Sequence, residues 1–145
     1  MARKKKKSKT IAQLVEIAAE AMQLYVRVKA ADEQGYVRCV TCGCVRHYKD
    51  QMDGGHFIER SYLATKLLEE NIHPQCKTCN GPFGNTPKGN PVQYTLYMED
   101  TYGRDFIDEL ERLRNESRKY YRAEVEEITK EIRAKIRQIQ QEKGI

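Results

Sequence analysis

The chain has 145 residues, of which 32% are charged and 39% hydrophobic, and its formal net charge is +5. This length suits one compact domain with helical extensions rather than two independent domains. No run of 18 apolar residues exists, and the lysine-rich start lacks the apolar stretch of a secretory signal. We therefore exclude a membrane-spanning protein and expect a soluble, cytoplasmic one.

The positive charge is concentrated in residues 1–10, which carry six cations and no acidic residue. Because like charges repel, we expect this basic tail to be disordered on its own. It suits a polyanion, since each phosphate contact releases condensed counterions. A solubilising terminus is the alternative interpretation. The candidate nucleic-acid contacts in the tail are Arg3, Lys4, Lys5, Lys6 and Lys7.

Residues 11–35 are predicted to form an N-terminal helix. Their apolar residues recur at three- and four-residue steps, which places them on one helix face. Thr10 and Gln13 have the spacing of a capping box, and Gly35 ends the run.

Residues 36–104 have a different composition and are predicted to form the core module. Glycine and proline become frequent, and all five cysteines and all three histidines lie here. Short apolar runs cannot fix such a conformation alone, so a bound metal would supply much of the folding free energy. Asn90 and Pro91 predict the N-cap and first residue of a short helix that runs towards Gly103.

Two Cys-x-x-Cys pairs predict a structural zinc site. Cys39 and Cys42 with Cys76 and Cys79 supply four thiolates for a tetrahedral ion, at Zn–S distances of about 2.3 Å. Buried cysteines or a redox pair are the alternatives. Cys44 is surplus, and we interpret it as a free thiol or a second-choice ligand. A closed four-thiolate zinc has no open coordination position, so catalysis would need other residues.

Polar residues near the cysteine pairs form a candidate catalytic set. Gly54 and Gly55 are predicted to let the backbone bend sharply just before His56. A histidine base, with an acid such as Asp53 and an amide such as Asn80 to hold one divalent ion, suffices for phosphodiester hydrolysis. A single histidine after two glycines is also commonly structural, so the spacing leaves both interpretations open.

Residues 105–145 are predicted to form one long amphipathic C-terminal helix. Apolar residues from Phe106 to Ile139 recur at steps near 3.6 and form a narrow stripe. A small core cannot cover that stripe alone. Its partner is the N-terminal helix, the same helix of a second protomer, or both, and we expect a homodimer through this helix.

Three motifs in the chain resemble those of a known family. They are Asp53-Gly-Gly-His56, Asn71-Ile-His-Pro-Gln-Cys76-x-x-Cys79-Asn80 and Gly89-Asn90-x-x-x-Tyr94. They resemble the phage lambda NinG (Rap) recombination endonucleases and, more broadly, the zinc-stapled HNH, or His-Me finger, nucleases. This resemblance, over about residues 36–104, implies an α+β fold. It would contain a small ββα-metal core with a four-cysteine zinc site. The N-terminal helix and the long C-terminal helix that flank this core are predicted from periodicity alone.

The resemblance implies roles for four residues. His56 matches the catalytic base, and Asn80 matches a ligand of the catalytic Mg²⁺ or Mn²⁺. Asn71 matches an asparagine that braces the loop bearing the histidine. Many HNH enzymes place an aspartate ligand directly before the histidine, where this chain has Gly55, and Asp53 is the nearest replacement.

The implied function is a structure-selective DNA endonuclease that hydrolyses branched recombination intermediates, such as Holliday junctions, D-loops or flaps. Its partners would be branched DNA and other recombination proteins, in the host cytoplasm if the gene is phage-encoded. Further candidate phosphate contacts are Arg60, Lys66, Lys77 and Lys88, although each is equally typical of a surface cation.

Three other functions remain open. The first is a non-catalytic zinc module that binds DNA while another protein cuts it. The second is a zinc-stapled adaptor that works through the C-terminal stripe. The third is an HNH nicking endonuclease with another substrate geometry, because the sequence contains no base-reading motif.

Overall fold

A computed structural model of the chain describes residues 4–81 and 90–145. The protein is mixed α and β, with six helices and two small antiparallel sheets in these residues, as the predicted α+β class requires. None of the described helices has the length and apolar character needed to cross a membrane. Residues 4–10 are exposed and form no helix or strand.

The elements follow one another in a simple order. The helices are α1 (Ile11–Ala30), α2 (Leu63–Lys66), α3 (Lys77–Asn80), α4 (Pro91–Tyr102), α5 (Arg104–Arg114) and α6 (Arg122–Lys143). The strands are β1 (Tyr36–Arg38), β2 (Val45–His47), β3 (Met52–His56) and β4 (Ile72–Cys76), with a 3-10 turn, Glu69–Asn71, before β4. Strand β1 pairs with β2 and β3 pairs with β4, both antiparallel.

Helix α1 begins as predicted and ends earlier. The Thr10 amide donates to Gln13 Oε1 at 2.9 Å and the Gln13 amide donates to Thr10 Oγ1 at 3.2 Å, which completes the predicted capping box. The helix stops at residue 30 rather than 35 because a turn follows it. In that turn Asp32 Oδ1 accepts from the Gln34 amide at 2.9 Å.

Strand β3 contains both central glycines in extended backbone, so the predicted sharp bend is wrong. A Cβ atom on Gly54 would lie 2.6 Å from the Cα atom of Gln23 in α1. A Cβ atom on Gly55 would overlap Oε1 of Gln75 in β4. These glycines therefore permit close packing on both faces of the strand rather than a turn.

Helix α1 is the centre of the main core. Helix α6 packs on one side of it, and the β3–β4 pair packs on the other. The buried side chains that these elements share include Met22, Val26, Met52, Ile72, Ile132 and Ile136. The β3–β4 pair is thereby held against a long and rigid helix.

The predicted single helix over residues 105–145 is wrong, because residues 115–121 separate α5 from α6. Tyr120 lies in this connection and packs with Val15 and Val125. Its hydroxyl donates to the Leu63 carbonyl at 2.8 Å. A buried aromatic anchor therefore fixes the break, and α6 then runs beside α1.

The apolar stripe of α6 is covered within the chain. Val125, Ile132 and Ile136 are buried. Helices α1 and α6 run parallel, since Arg122 at the start of α6 contacts Lys9 just before α1 and Lys143 at the end of α6 contacts Val28. At their shared end Lys143 Nζ donates to the Val28 carbonyl at 3.0 Å and also to those of residues 29 and 31. The homodimer remains a prediction. The apolar stripe that motivated it is covered by α1 and no longer supports it.

Helix α4 begins at the predicted Asn90–Pro91 step and ends at Gly103. Pro91 is the first helical residue, as predicted. Asn90 has a left-handed backbone (φ 54°) and makes no side-chain cap hydrogen bond, so its predicted N-cap bond is wrong. Helices α4 and α5 share a second apolar cluster with Ile58, which lies just after β3.

Replacing Ile132 with alanine tests the α1–α6 packing. The side chain is buried, so Ile132→Ala should lower the free energy of unfolding by about 2–5 kcal/mol, since a cavity replaces the lost methyl groups. Urea denaturation of the zinc-loaded protein measures this loss. Ile139→Ala is the matched control at the half-buried edge of the same cluster and should cost less. Equal losses would contradict the packing described here.

Candidate functional site

The cysteines come together from two distant segments. Cys39, Cys42 and Cys44 lie in and beside the turn between β1 and β2, while Cys76 ends β4 and Cys79 lies in α3. The Sγ atoms of Cys42 and Cys76 are 3.7 Å apart. Tetrahedral zinc with Zn–S bonds of about 2.3 Å would separate its sulfur atoms by about 3.8 Å. The packing of the two segments therefore suits a shared metal ion.

Four thiols lie within 4.8 Å of one another and could hold a metal ion such as zinc. They belong to Cys39, Cys42, Cys44 and Cys76. This set contains Cys44, interpreted from the sequence as surplus, in place of Cys79. The Cys79 amide donates to Cys76 Sγ at 3.4 Å, so Cys79 adjoins the group and its role as a ligand remains a prediction.

The surroundings of the clustered thiols lower the pKa of one cysteine and raise the pKa of two others. Burial raises the pKa of Cys39, but hydrogen bonds from backbone amides and the Thr41 hydroxyl outweigh burial and lower it to about 6. Burial and the neighbouring thiols raise the pKa of Cys44 to about 12. The pKa of Cys79 rises to about 12 for the same main reason. Cys39 therefore forms a thiolate readily, whereas Cys44 and Cys79 would need a nearby cation, which a bound zinc ion would supply.

A second polar group surrounds Asp53. Its carboxylate accepts from Lys77 Nζ at 2.7 Å and from Asn80 Nδ2 at 3.1 Å. The Lys77 ammonium thus neutralises Asp53, as a divalent ion would. A carboxylate and an amide oxygen are donors that Mg²⁺ and Mn²⁺ accept, so Asp53 and Asn80 are suited to such an ion.

His56 ends β3 and has one engaged and one unpartnered ring nitrogen. Its Nε2 atom lies 2.9 Å from the Lys66 carbonyl oxygen. Since a carbonyl can only accept, Nε2 carries the proton and Nδ1 keeps its lone pair. Among the described residues, His56 Nδ1 is the only buried side-chain nitrogen or oxygen without a hydrogen-bond partner. Burial lowers the pKa of His56 to about 4, so the ring is neutral near pH 7.

Asn71 fixes the loop that follows His56. The Asn71 side chain is fully buried, and its Oδ1 atom accepts from the Ile58 amide at 2.8 Å. Its Nδ2 atom donates to the Ile58 carbonyl at 3.1 Å and to the Thr65 carbonyl at 3.0 Å. The Lys66 carbonyl directly after this loop is the one that orients His56.

Three of the candidate phosphate contacts are engaged inside the chain, because Lys77 pairs with Asp53 and two others pair with Glu16. Arg60 Nη2 lies 2.6 Å from Glu16 Oε2 of α1, and Lys66 pairs with the other oxygen of the same carboxylate. The hydrogen bond from Lys66 is the main cause that lowers the pKa of Glu16. Of the remaining candidates, Arg3 and Lys88 lie outside the described residues.

Sequence reasoning missed a chain of hydrogen bonds that reaches the backbone beside His56. Tyr94 Oη donates to the Gly55 carbonyl at 2.7 Å. His73 Nδ1 therefore donates to Tyr94 Oη at 3.0 Å, and Tyr102 Oη donates to His73 Nε2 at 2.8 Å. Burial lowers the pKa of His73 to about 4. Two signals of these hydrogen bonds were present in the sequence: His73 in the second motif and Tyr94 in the third.

Strand alternation separates the two candidate groups. Positions 53 and 55 face β4 and α3, where Gln75 and Asn80 lie, whereas position 54 faces α1. His56 likewise lies towards α1, with its ring near Glu16. The structure therefore places Asp53 and Asn80 together and His56 across the strand from them.

Comparison with known protein families gives a match over nearly the whole chain. Residues 1–142 match the family described as the bacteriophage Lambda NinG protein. No curated protein and no solved structure matches the chain.

Serine variants test the thiol group. Cys76→Ser should lose zinc and cooperative unfolding, because Cys76 belongs to both candidate ligand sets. The set seen in the structure further predicts that Cys44→Ser loses zinc and Cys79→Ser retains it. Elemental analysis of each purified variant measures the zinc content. Retention in Cys44→Ser with loss in Cys79→Ser would instead support the set predicted from the sequence.

Acid titration tests the two buried histidines. Both have pKa values lowered to about 4 from an ordinary 6.5, so the unfolded chain binds more protons between these values. The free energy of unfolding should therefore fall as pH drops from 6.5 towards 4. Urea denaturation at several pH values, with zinc content checked at each, measures the slope. His73→Gln should have a shallower slope, and an unchanged slope would contradict the assignment.

Proposed function

The chain belongs to the family of the bacteriophage lambda NinG protein, and from that membership we propose that it is a metal-dependent DNA endonuclease. The proposed reaction is hydrolysis of a phosphodiester bond in branched recombination DNA, such as a Holliday junction, D-loop or flap. The observation that carries the proposal is the buried, unpartnered Nδ1 atom of His56. A buried polar atom without a partner requires an explanation, and a general base provides one.

His56 is the proposed base. Its Nε2–H group is held by the Lys66 carbonyl, so the ring is oriented and only Nδ1 can accept a proton. The low pKa keeps the ring neutral, as a base must be before it takes a proton from water. The imidazolium that forms keeps its hydrogen bond to the same carbonyl.

Substrate has to open this site before water can reach Nδ1. Arg60 and Lys66 lie beside His56 and are paired with Glu16. A DNA phosphate would compete with the Glu16 carboxylate for these two cations. We propose that this exchange brings the scissile phosphate towards His56.

Asp53 and Asn80 are the proposed ligands of the catalytic Mg²⁺ or Mn²⁺. When bound, such an ion would neutralise charge on the scissile phosphate and on the leaving oxygen. Because His56 lies across β3 from these two ligands, the phosphate would have to bridge the two faces of the strand. Asp53 is already oriented by Asn80, and its contact with Lys77 is the one that the ion would replace. Lys77, once released, remains close enough to contact a phosphate.

The packing around Gly55 supports Asp53 as a metal ligand. Gln75 fills the space that a side chain at position 55 would need, so the aspartate that many HNH enzymes carry there would not fit. Asp53 lies on the same face of β3 as position 55, because side chains alternate along a strand. From this position, the Asp53 carboxylate accepts a hydrogen bond from the Asn80 side chain.

We also propose that β3, β4 and α3 form a ββα-metal core. Two antiparallel strands are followed directly by a short helix, and these elements carry Asp53, His56 and Asn80. Structural zinc would fasten the β1–β2 turn to the junction of β4 and α3. The adaptor function is less well supported, because α1 covers the stripe on which it relied.

Replacing His56 tests the mechanism. His56→Ala should lower the single-turnover cleavage rate by about 10²–10⁴-fold, because it removes a general base, while zinc content and junction affinity stay near wild type. Asn80→Ala should instead raise the Mg²⁺ concentration needed for cleavage, because it removes a ligand. The assay uses labelled Holliday junction, flap, D-loop and linear duplex.

His47→Ala is the matched control, since His47 lies on β2 and contacts Tyr48, and it should cleave normally. Full cleavage by His56→Ala would refute the mechanism. DNA binding by the wild type without any cleavage would favour the non-catalytic zinc module.

A further inference from the structure

A groove between α1 and α6 carries positive charge that the proposed active site does not use. Its volume is about 290 Å³, and four cations and one acidic residue line it. The cations are Lys9, Lys130, Arg133 and Arg137. This surface differs from the candidate sites above, where each cation faces a carboxylate.

The three cations of α6 share one exposed face. Lys130, Arg133 and Arg137 are spaced by three and four residues, so they lie in a row of about 10 Å at 1.5 Å per residue. None of them joins an ion pair within residues 4–81 and 90–145. The acidic residue of the groove, Glu126, is paired with Arg122 at 3.7 Å. Ion pairs within the described residues therefore do not offset the positive charge of these three side chains.

The groove adjoins the basic tail. Arg122 Nη2 donates to the Lys9 carbonyl at 2.6 Å, which fixes the chain where it enters α1. The exposed lysines Lys4–Lys7 lie immediately before this point. Tail and groove therefore provide one stretch of positive charge.

We propose that this groove, together with the tail, binds the phosphate backbone of a DNA arm outside the cleavage point. Duplex DNA carries one negative charge per about 1.7 Å of its axis, so a row of about 10 Å faces about six charges. Leu14 and Ile17 supply apolar lining, and the Thr129 hydroxyl is occupied by the Val125 carbonyl at 3.0 Å. Such a surface recognises charge rather than base sequence.

This inference rests on the proposed function, because it takes DNA to be the substrate. Contact with a DNA arm outside the cleavage point would suit an enzyme that selects branched DNA by its shape. The groove holds no proposed catalytic residue, so its variants separate binding from chemistry.

The test compares full-length, zinc-loaded variants of matched charge. The triple variant Lys130→Gln/Arg133→Gln/Arg137→Gln should bind a labelled four-way junction about tenfold or more weakly than wild type. The slope of the logarithm of its binding constant against the logarithm of the salt concentration should also become less negative by about three. The control, Lys49→Gln/Arg104→Gln/Arg112→Gln, removes the same charge from exposed sites outside the groove and should bind like wild type. Lys130→Arg/Arg133→Lys/Arg137→Lys keeps the charge and should retain affinity.

Binding is measured without Mg²⁺, and cleavage is measured separately with it. A groove variant that binds the junction with the affinity and salt slope of the control would overturn the inference while leaving the nuclease proposal intact. Wild-type protein that neither binds nor cleaves any of the DNA substrates would overturn both. Loss of affinity in the charge-retaining variant as well would also overturn it, because shape rather than charge would then be responsible.

Discussion

The close packing of α1 on β3 is the constraint on which the rest of the structure depends. The backbone of α1 lies directly on Gly54, where any side chain would collide with Gln23. Arg27 fastens the start of β3, since its guanidinium donates to the Tyr48 carbonyl at 2.6 Å and the Met52 carbonyl at 2.9 Å. Burial lowers the pKa of Arg27, and its Nε–H group also donates to the Gln23 carbonyl of α1 at 3.0 Å. The strand that carries the candidate site thus has little freedom to move.

The charged groups around that strand are satisfied internally. Glu16 holds two cations on the α1 side, and Asp53 holds Lys77 on the α3 side. Glu16 and Asp53 are partly exposed, so salt and water screen their pairs with Arg60 and Lys77, whereas the Lys66 side chain is only 9% exposed. His56 Nδ1 differs, because no described group satisfies it. That contrast distinguishes a candidate base from its supporting charges.

The thiol group links two segments that lie far apart in the sequence. It connects the β1–β2 turn to the end of β4 and the start of α3, which carries Asn80. Short strands with little buried surface depend on such a link for their position. A structural metal would therefore influence the candidate active site through the placement of α3, although it would take no part in the chemistry.

Features that depend on local patterns could be predicted from the amino-acid sequence. The capping box at Thr10 was confirmed because its partners lie three residues apart, and so was the start of α4 at Pro91. The approach of Cys76 to Cys39 and Cys42 was predictable because thiols at such spacings converge on one ion, whereas Cys79 is not among the four closest thiols. The membership of Cys44, however, depends on how the β1–β2 turn folds.

Features that depend on contacts between distant segments could not be predicted without the folded structure. The break before α6 requires Tyr120 to meet Val15, a pairing that no periodicity records. Two glycines in a row suggest a bend, and only the approach of α1 and Gln75 shows why an extended strand needs them. The same holds for His56, since its protonation follows from burial and from a carbonyl ten residues away. Residue types fix what chemistry is available, whereas packing fixes which atoms are desolvated and left unpartnered.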